Sequence, residues 1–220
     1  MKKPILRTLS FLIQLILMLV LPFFILIKGS TWLYQSYDWP WWGAVATMLL
    51  LDFLLLLIYV AMLYDWIRGP GKMSKGSIKL KAIVVIGLMG LFIGYTVFNL
   101  SGANAKGEEV RKEYSTLHPL LRVAVGTMIL FNQNILVTDM ARGHQDYKKM
   151  GLKSKKHSLH YPQSDGFVHA MDLRTKGYSE TRNELLGFYF KILGFNTLRH
   201  VGTADHLHIS LSSKDRPGAI

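Results

Sequence analysis

The alternation His206-Leu-His208-Ile-Ser210-Leu is where this sequence comes nearest to chemistry. A β-strand turns successive side chains to opposite faces, so His206, His208 and Ser210 share one face while Leu207, Ile209 and Leu211 share the other. One face is core, and the other offers two imidazoles. A metal site needs convergent neutral nitrogens and a carboxylate. Residues 167–173 read as a second strand, in which Val168, Ala170 and Asp172 share a face and His169 and Met171 lie opposite. His169 is thereby turned away from Asp172 despite its nearness in sequence. His160, on the preceding loop, folds back toward Asp172, with His157 as the alternative. The expected ligands are His160, Asp172 and His208 with water in the fourth position, and three protein ligands with one open position is the pattern of catalytic zinc. The chain has no cysteine, which excludes a disulfide framework, a thiolate metal site and a cysteine nucleophile.

Several further elements must hold these residues in place. A helix is expected from Glu108 to about Leu117. Pro119 suits the first turn of a second helix, with Leu120, Val123, Ala124, Thr127 and Met128 toward a core. Residues 135–138 read as a short buried strand, and residues 143–157 as a polar loop with a basic run at Lys153, Lys155 and Lys156. Ser179 is placed to cap a helix that Gly194 ends, with Leu185, Leu186, Tyr189, Ile192 and Leu193 inward. Residues 198–201 and 206–211 close the sheet. The eight histidines all lie from His118 onward, so this chemistry belongs to the C-terminal half.

The N-terminal half has a different composition. Apolar runs at about residues 9–27, 42–64 and 82–100 are each long enough to cross roughly 30 Å of hydrocarbon. Trp39, Trp41 and Trp42, then Tyr64 and Trp66, flank the second run as interfacial aromatics do. Lys2, Lys3 and Arg7 precede the first run, and Arg68, Lys72, Lys75, Lys79 and Lys81 lie between the second and third. Only Lys28 and Asp38 lie between the first two. The positive-inside rule then sets the N-terminus in the cytoplasm and everything after Leu100 outside it. The chain's net charge is +12, and the part of it in this half sits in loops and reports topology rather than nucleic-acid binding. Asp52 lies within the second run, where a charge is costly and marks a bundle contact, a partner contact or a proton site. Gly87, Gly90 and Gly94 recur at helical spacing in the third run, a small-residue pattern suited to close helix packing or to a membrane-protein partner. Residues 1–100 are thus expected to be a three-helix membrane anchor, 101–107 a flexible linker, and 108–220 a single small domain.

Taken together, Ser158-Leu-His160, Ala170-Met-Asp172-Leu and the terminal His206-Leu-His208 resemble the zinc D-Ala-D-Ala carboxypeptidase/dipeptidase and L-Ala-D-Glu endopeptidase superfamily, whose fold is shared by the Hedgehog signalling domain. Leu117-His-Pro-Leu-Leu-Arg122, Thr138-Asp-Met-Ala-Arg142 and the segment from Gly194 to His208 extend the resemblance, in the family's order. It implies an α+β fold, an antiparallel sheet with flanking helices, and a zinc ion on His160, Asp172 and His208. It also implies that His206 lines the site and stabilises the tetrahedral intermediate, that Arg142 binds a substrate carboxylate, and that Asp205 acts as general base where many relatives have Glu. Asp has the shorter reach, and strict strand alternation turns Asp205 away from His208 unless the strand begins at His206. His200 is the reserve candidate for the base. His160 and Asp172 are farther apart than in the family, by the turn-rich tract Pro162-Gln-Ser-Asp-Gly166.

The function expected on this resemblance is a membrane-anchored zinc peptidase, of D,D-carboxypeptidase or endopeptidase type, cleaving peptidoglycan stem peptides outside the cytoplasmic membrane. The alternative is a non-catalytic zinc-binding module of a membrane complex that recognises wall peptides or a protein partner.

Overall fold

A computed structural model of the chain describes residues 2–68, 75–143, 151, 157–202 and 204–219. The basic run at Lys153, Lys155 and Lys156 lies outside the described residues, as does Lys72. The chain divides into two compact units, Met1–Phe92 and Ile93–Ile220.

The first unit is helical. Helix α1 (Lys2–Phe24) runs through a π-helical turn at Ile25–Gly29 into α2 (Ser30–Tyr37). Asp38 ends α2 in the left-handed conformation, at φ 58°, which a short polar side chain tolerates better than most. Helix α3 (Trp41–Arg68) packs against α1, the π turn and α2, and α4 (Lys75–Phe98) follows. Three segments are long and apolar enough to cross a membrane, Ile16–Tyr37, Trp41–Leu63 and Ile78–Phe98. The first of these ends well beyond the expected residue 27, because the helix continues through the π turn instead of stopping at Lys28. Gly29 gives room to the Met48 side chain, which a Cβ there would meet. Gly87, Gly90 and Gly94 have open space where a Cβ would project, so no helix among the described residues uses that small-residue pattern for close packing. Asp52 is buried on α3, and its Oδ1 has no hydrogen-bond partner among the described residues.

The second unit is α+β. Its sheet has four antiparallel strands in the order β1-β2-β4-β3, with β1 Val137–Asp139, β2 Ala170–Arg174, β3 Asn196–His200 and β4 His206–Ser210. The short α5 (Glu108–Glu113), α6 (Pro119–Phe131) and α7 (Glu180–Ile192) complete it. Alternation sorts the sheet's faces. Met171, Leu173, Leu207 and Ile209 are fully or almost fully buried, and α7 packs on β3 and β4. Ser179 caps α7 through its hydroxyl, which accepts from Arg182 N at 3.4 Å, and Gly194 ends it at φ 98°. Of the residues expected inward on α7, Leu186 and Leu193 are buried, Tyr189 is half-buried, and Leu185 and Ile192 are exposed; Phe190 fills the core instead.

Residues 101–107, expected as a free linker, are built into this unit. Gly102–Asn104 form a 3₁₀ turn, and Ala105 bridges Val137. The buried Asn104 amide donates to Gln133 O at 2.9 Å and Ile135 O at 2.8 Å, satisfying carbonyls that the turn before β1 would otherwise leave orphaned. The last turns of α4 belong here too. Tyr114 Oη donates to Thr96 O at 2.6 Å, and Arg122 Nη1 to Val97 O at 3.0 Å. At this approach α6 carries Gly126, where a Cβ would lie 2.8 Å from Thr96 Cβ and 2.9 Å from its Cα. Backbone cannot retreat as a flexible side chain can. Gly126→Ala is therefore expected to destabilise this unit by about 1–3 kcal/mol through overpacking, read as a lower denaturation midpoint with unchanged denaturant dependence.

Candidate metal centre

Strand register brings the carboxylate to the imidazole. Asp172 on β2 stands directly opposite His208 on β4, so the two side chains rise from neighbouring strands on the same face. His208 Nδ1 lies 2.8 Å from Asp172 Oδ1. The third member comes from the loop. Arg142 N donates to His160 O at 3.0 Å, and His160 N donates to Ser158 Oγ at 3.3 Å. The first bond ties the His160 loop to the chain leaving β1, and the second closes the loop on itself. His160 Nε2 then lies 3.3 Å from His208 Nδ1 and 3.5 Å from Asp172 Oδ1.

These three separations are the test of whether a metal fits. Ligand atoms about 2.0–2.1 Å from a tetrahedral ion stand about 3.3 Å from one another, close to the 3.3 and 3.5 Å observed, with the 2.8 Å edge slightly tight. All three residues are buried. The tautomer of His160 agrees as well. His160 Nδ1 lies 2.6 Å from Met140 O, so it carries the proton and leaves the Nε2 lone pair facing the centre, the outer-shell arrangement that metal-bound histidines use. The group can hold a metal ion. His157, the alternative first ligand, is exposed on a turn.

The surroundings bias Asp172 toward its ionised form. Burial alone would raise its pKa, but in the metal-free chain, with protons on the ring nitrogens that face it, bonds from His160 and His208 and the charges of His160 and Arg142 hold it well below the usual carboxylate range. Register explains the arginine. An irregularity in β1 sets Asp139 opposite Asp172, two like charges that would repel. Arg142 bridges them, with Nε 2.9 Å from Asp139 Oδ2 and Nη2 bonded to Asp172 Oδ2. In this conformation its guanidinium holds the ligand's second oxygen. It also lines a groove of about 540 Å³ together with Thr138, Asp139, Glu108, Glu109 and Glu113.

Asp205 lies elsewhere. Strand β4 does begin at His206, so Asp205 is still in the loop, yet its carboxylate is clasped by Arg199 through Nη1 and through Nη2 at 3.1 Å. Arg199 sits on β3 one residue out of step with His200, and it borders α7 with Thr197 and Leu207. The Arg199 bond lowers the pKa of Asp205, which makes it a weaker base. His206 takes the better position. Its Nε2 lies 3.8 Å from Asp172 Oδ2, and its Nδ1 is 2.6 Å from Ala204 O. Nδ1 therefore donates to the backbone carbonyl, which leaves Nε2 turned toward the centre. His200, directly across from His206, stacks on it.

Sequence reasoning missed a second group of the same residue types, His118, Asp165 and His169. His169 Nε2 is 2.8 Å from Asp165 Oδ2, and His118 Nε2 is 3.6 Å from the same oxygen. Hydrogen bonding decides against a metal here. Leu120 N donates to His118 Nδ1 at 3.2 Å, the cap of α6. Burial and the charge of His169 lower the His118 pKa to about 3, against the opposing pull of Asp165. The ring is neutral, Nδ1 is an acceptor, and Nε2 must carry the proton, so no lone pair faces Asp165. The group is a carboxylate clamp that fixes residues 162–166, the tract separating His160 from Asp172, against the start of α6. A His before Pro119 and an Asp in a turn-rich tract were the available signals, but nothing in the spacing paired them. Asp165→Ala is expected to cost about 1–3 kcal/mol by leaving buried donors unsatisfied, with metal binding at His160, Asp172 and His208 unaffected. Chemical denaturation and metal analysis of the same sample test both parts.

No protein-family model, no curated protein and no solved structure matches this chain.

Proposed function

We propose that the chain is a membrane-anchored zinc peptidase that hydrolyses peptidoglycan stem peptides on the outer side of the cytoplasmic membrane. The observation that carries this reading is the convergence of His160 Nε2, Asp172 Oδ1 and His208 Nδ1 within 3.5 Å of one another. Two imidazoles and one carboxylate suit zinc, and three ligands leave a position for chemistry. The order of the motifs around them supports the superfamily named above, and the distribution of Lys and Arg between the apolar segments supports an outward-facing C-terminal domain.

Zinc held there would supply Lewis acidity to the scissile carbonyl and to the attacking water. The chain's own residues do the rest. His160 is locked by Met140 O and Asp172 by Arg142, so both ligands are oriented in advance. His206 Nε2 takes the proton from the attacking water and returns it to the leaving amine. Asp205 holds Arg199 at the base of the β3–β4 loop and so positions His206. Arg142 stands between the groove and Asp172, where a planar guanidinium can exchange one carboxylate oxygen for that of a substrate.

A second reading, a non-catalytic zinc-binding module of a membrane complex, is favoured by one observation, the diversion of Asp205 to Arg199. The two readings part on one experiment. The full chain in detergent, loaded with zinc, is incubated with a defined stem peptide ending in D-Ala-D-Ala, with His208→Ala as the control. Release of D-Ala or of an internal fragment that the control does not give supports the peptidase. Full zinc occupancy without turnover supports the module.

A further inference from the structure

A cavity of about 310 Å³ opens where α4 ends, bordered by Val97, Phe98, Glu108, Arg111, Lys112 and Arg122 among others. These residues all belong to the unit Ile93–Ile220. Ile78–Phe98 is one of the three segments long and apolar enough to cross a membrane. In a bilayer crossed by that segment, the cavity falls where the apolar core gives way to headgroups. Phe98, at that level, is 80% exposed.

Arg122 sets the character of the cavity. It is buried, and a buried charge is costly without an opposite one beside it. Its Nη1 donates to Val97 O at 3.0 Å, a carbonyl in the last turn of α4, but its Nε has no hydrogen-bond partner among the described residues. The Phe167 ring, 5.8 Å from Cζ, gives only weak cation–π support. Burial lowers the Arg122 pKa from its ordinary value, with Tyr114 and no carboxylate opposing the shift. Glu108 does not supply the missing charge, because its carboxylate is bonded to Arg111 at 2.8 Å. Lys112 is exposed and adds a second positive charge.

We propose that this cavity binds the phosphate of an anionic phospholipid, with Arg122 and Lys112 as its cationic contacts and the acyl chains beside Phe98 along α4. A guanidinium fork matches phosphate oxygens, and basic pockets beside membrane spans take up such headgroups. The apolar segment that ends in the cavity favours a lipid over free phosphate. Arg122 already joins α6 to the end of α4, so a phosphate bound there fastens the C-terminal unit to the membrane surface. The proposal needs α4 to cross the membrane and does not depend on the peptidase reading.

The test is native mass spectrometry of the full chain in a non-ionic detergent, titrated with dioleoyl phosphatidylglycerol, with dioleoyl phosphatidylcholine and with inorganic phosphate. The wild type is expected to hold one phosphatidylglycerol at least about tenfold more tightly than phosphatidylcholine, whose ammonium the cavity repels. Arg122→Gln should weaken that lipid at least about tenfold, as the loss of a charged hydrogen-bond donor does. Lys112→Glu should weaken it about fivefold or more. Lys112 is exposed, so its variant keeps the fold; if Arg122→Gln does not fold, Lys112→Glu decides. Equal binding of the two lipids overturns the proposal, as does a first phosphatidylglycerol that neither variant weakens. Displacement of the lipid by an equal concentration of inorganic phosphate also overturns it, by showing an anion site that needs no membrane.

Discussion

Asp172→Ala is expected to abolish metal binding at His160 and His208 and to destabilise the C-terminal unit by about 3–5 kcal/mol. Asp172 is buried, and its two oxygens serve His160, His208 and Arg142 at once. Removing it takes a buried carboxylate partner from the Arg142 charge and leaves two imidazoles facing each other. The two losses separate in denaturant. A ligand that binds only the folded state stabilises it by about 4 kcal/mol at a thousandfold excess over its Kd, so a chelator should lower the wild-type midpoint and leave the Asp172→Ala midpoint unmoved. Acid gives a third reading. The folded pKa of Asp172 is depressed, so its contribution in the metal-free chain is present above the unfolded value and fades as pH falls through the folded one. The variant should lack that part of the acid dependence. A chelator response equal to that of the wild type would show that the ion sits elsewhere.

His206→Gln should separate chemistry from metal binding most sharply. Gln keeps a polar side chain at this position but cannot carry a proton through the reaction. On the peptidase reading, metal at His160, Asp172 and His208 should stay at the wild-type level, while kcat falls by about 10²- to 10⁴-fold, the usual contribution of a positioned general base. Asp205→Ala should behave differently. Its carboxylate faces Arg199, so its loss should loosen the β3–β4 loop and lower kcat only modestly. If Asp205→Ala costs more turnover than His206→Gln at equal zinc occupancy, the Arg199 pairing must break during the reaction, and Asp205 returns as the base.

The contrast between these two residues shows where a sequence stops being readable. Alternation along β4 was legible, because a period of two needs only local backbone geometry. It separated His208 from Leu207, as the same period around Asp172 separated that residue from His169, and for Asp205 it left the outcome to where β4 begins. The partner that receives Asp205 was not legible. Arg199 comes to it only through the β3–β4 register, which no single-strand pattern encodes. The same limit hid the clamp of Asp165 on His169 and His118, three residues joined by tertiary packing. Caps were legible where one residue decides, as at Ser179, Pro119 and Gly194. The buried face of α7 was misjudged at Leu185 and Ile192, since its amphipathicity is weak and Phe190 competes for the core. The segment 101–107 looked like a linker from its small residues. One asparagine, Asn104, is enough to fasten it, and composition does not reveal which asparagine will find two carbonyls. The triad itself was assembled from spacing and resemblance; its geometry is what now invites a metal.

Zinc-edge X-ray absorption on the purified full chain tests this account most directly, with ions counted on the same sample. One tight ion per chain, with only nitrogen and oxygen neighbours at about 2.0–2.1 Å, two of them imidazole, and its loss in His208→Ala, is the result the account predicts. A chain that takes up no tight ion, or one whose signal survives His208→Ala unchanged, would contradict it.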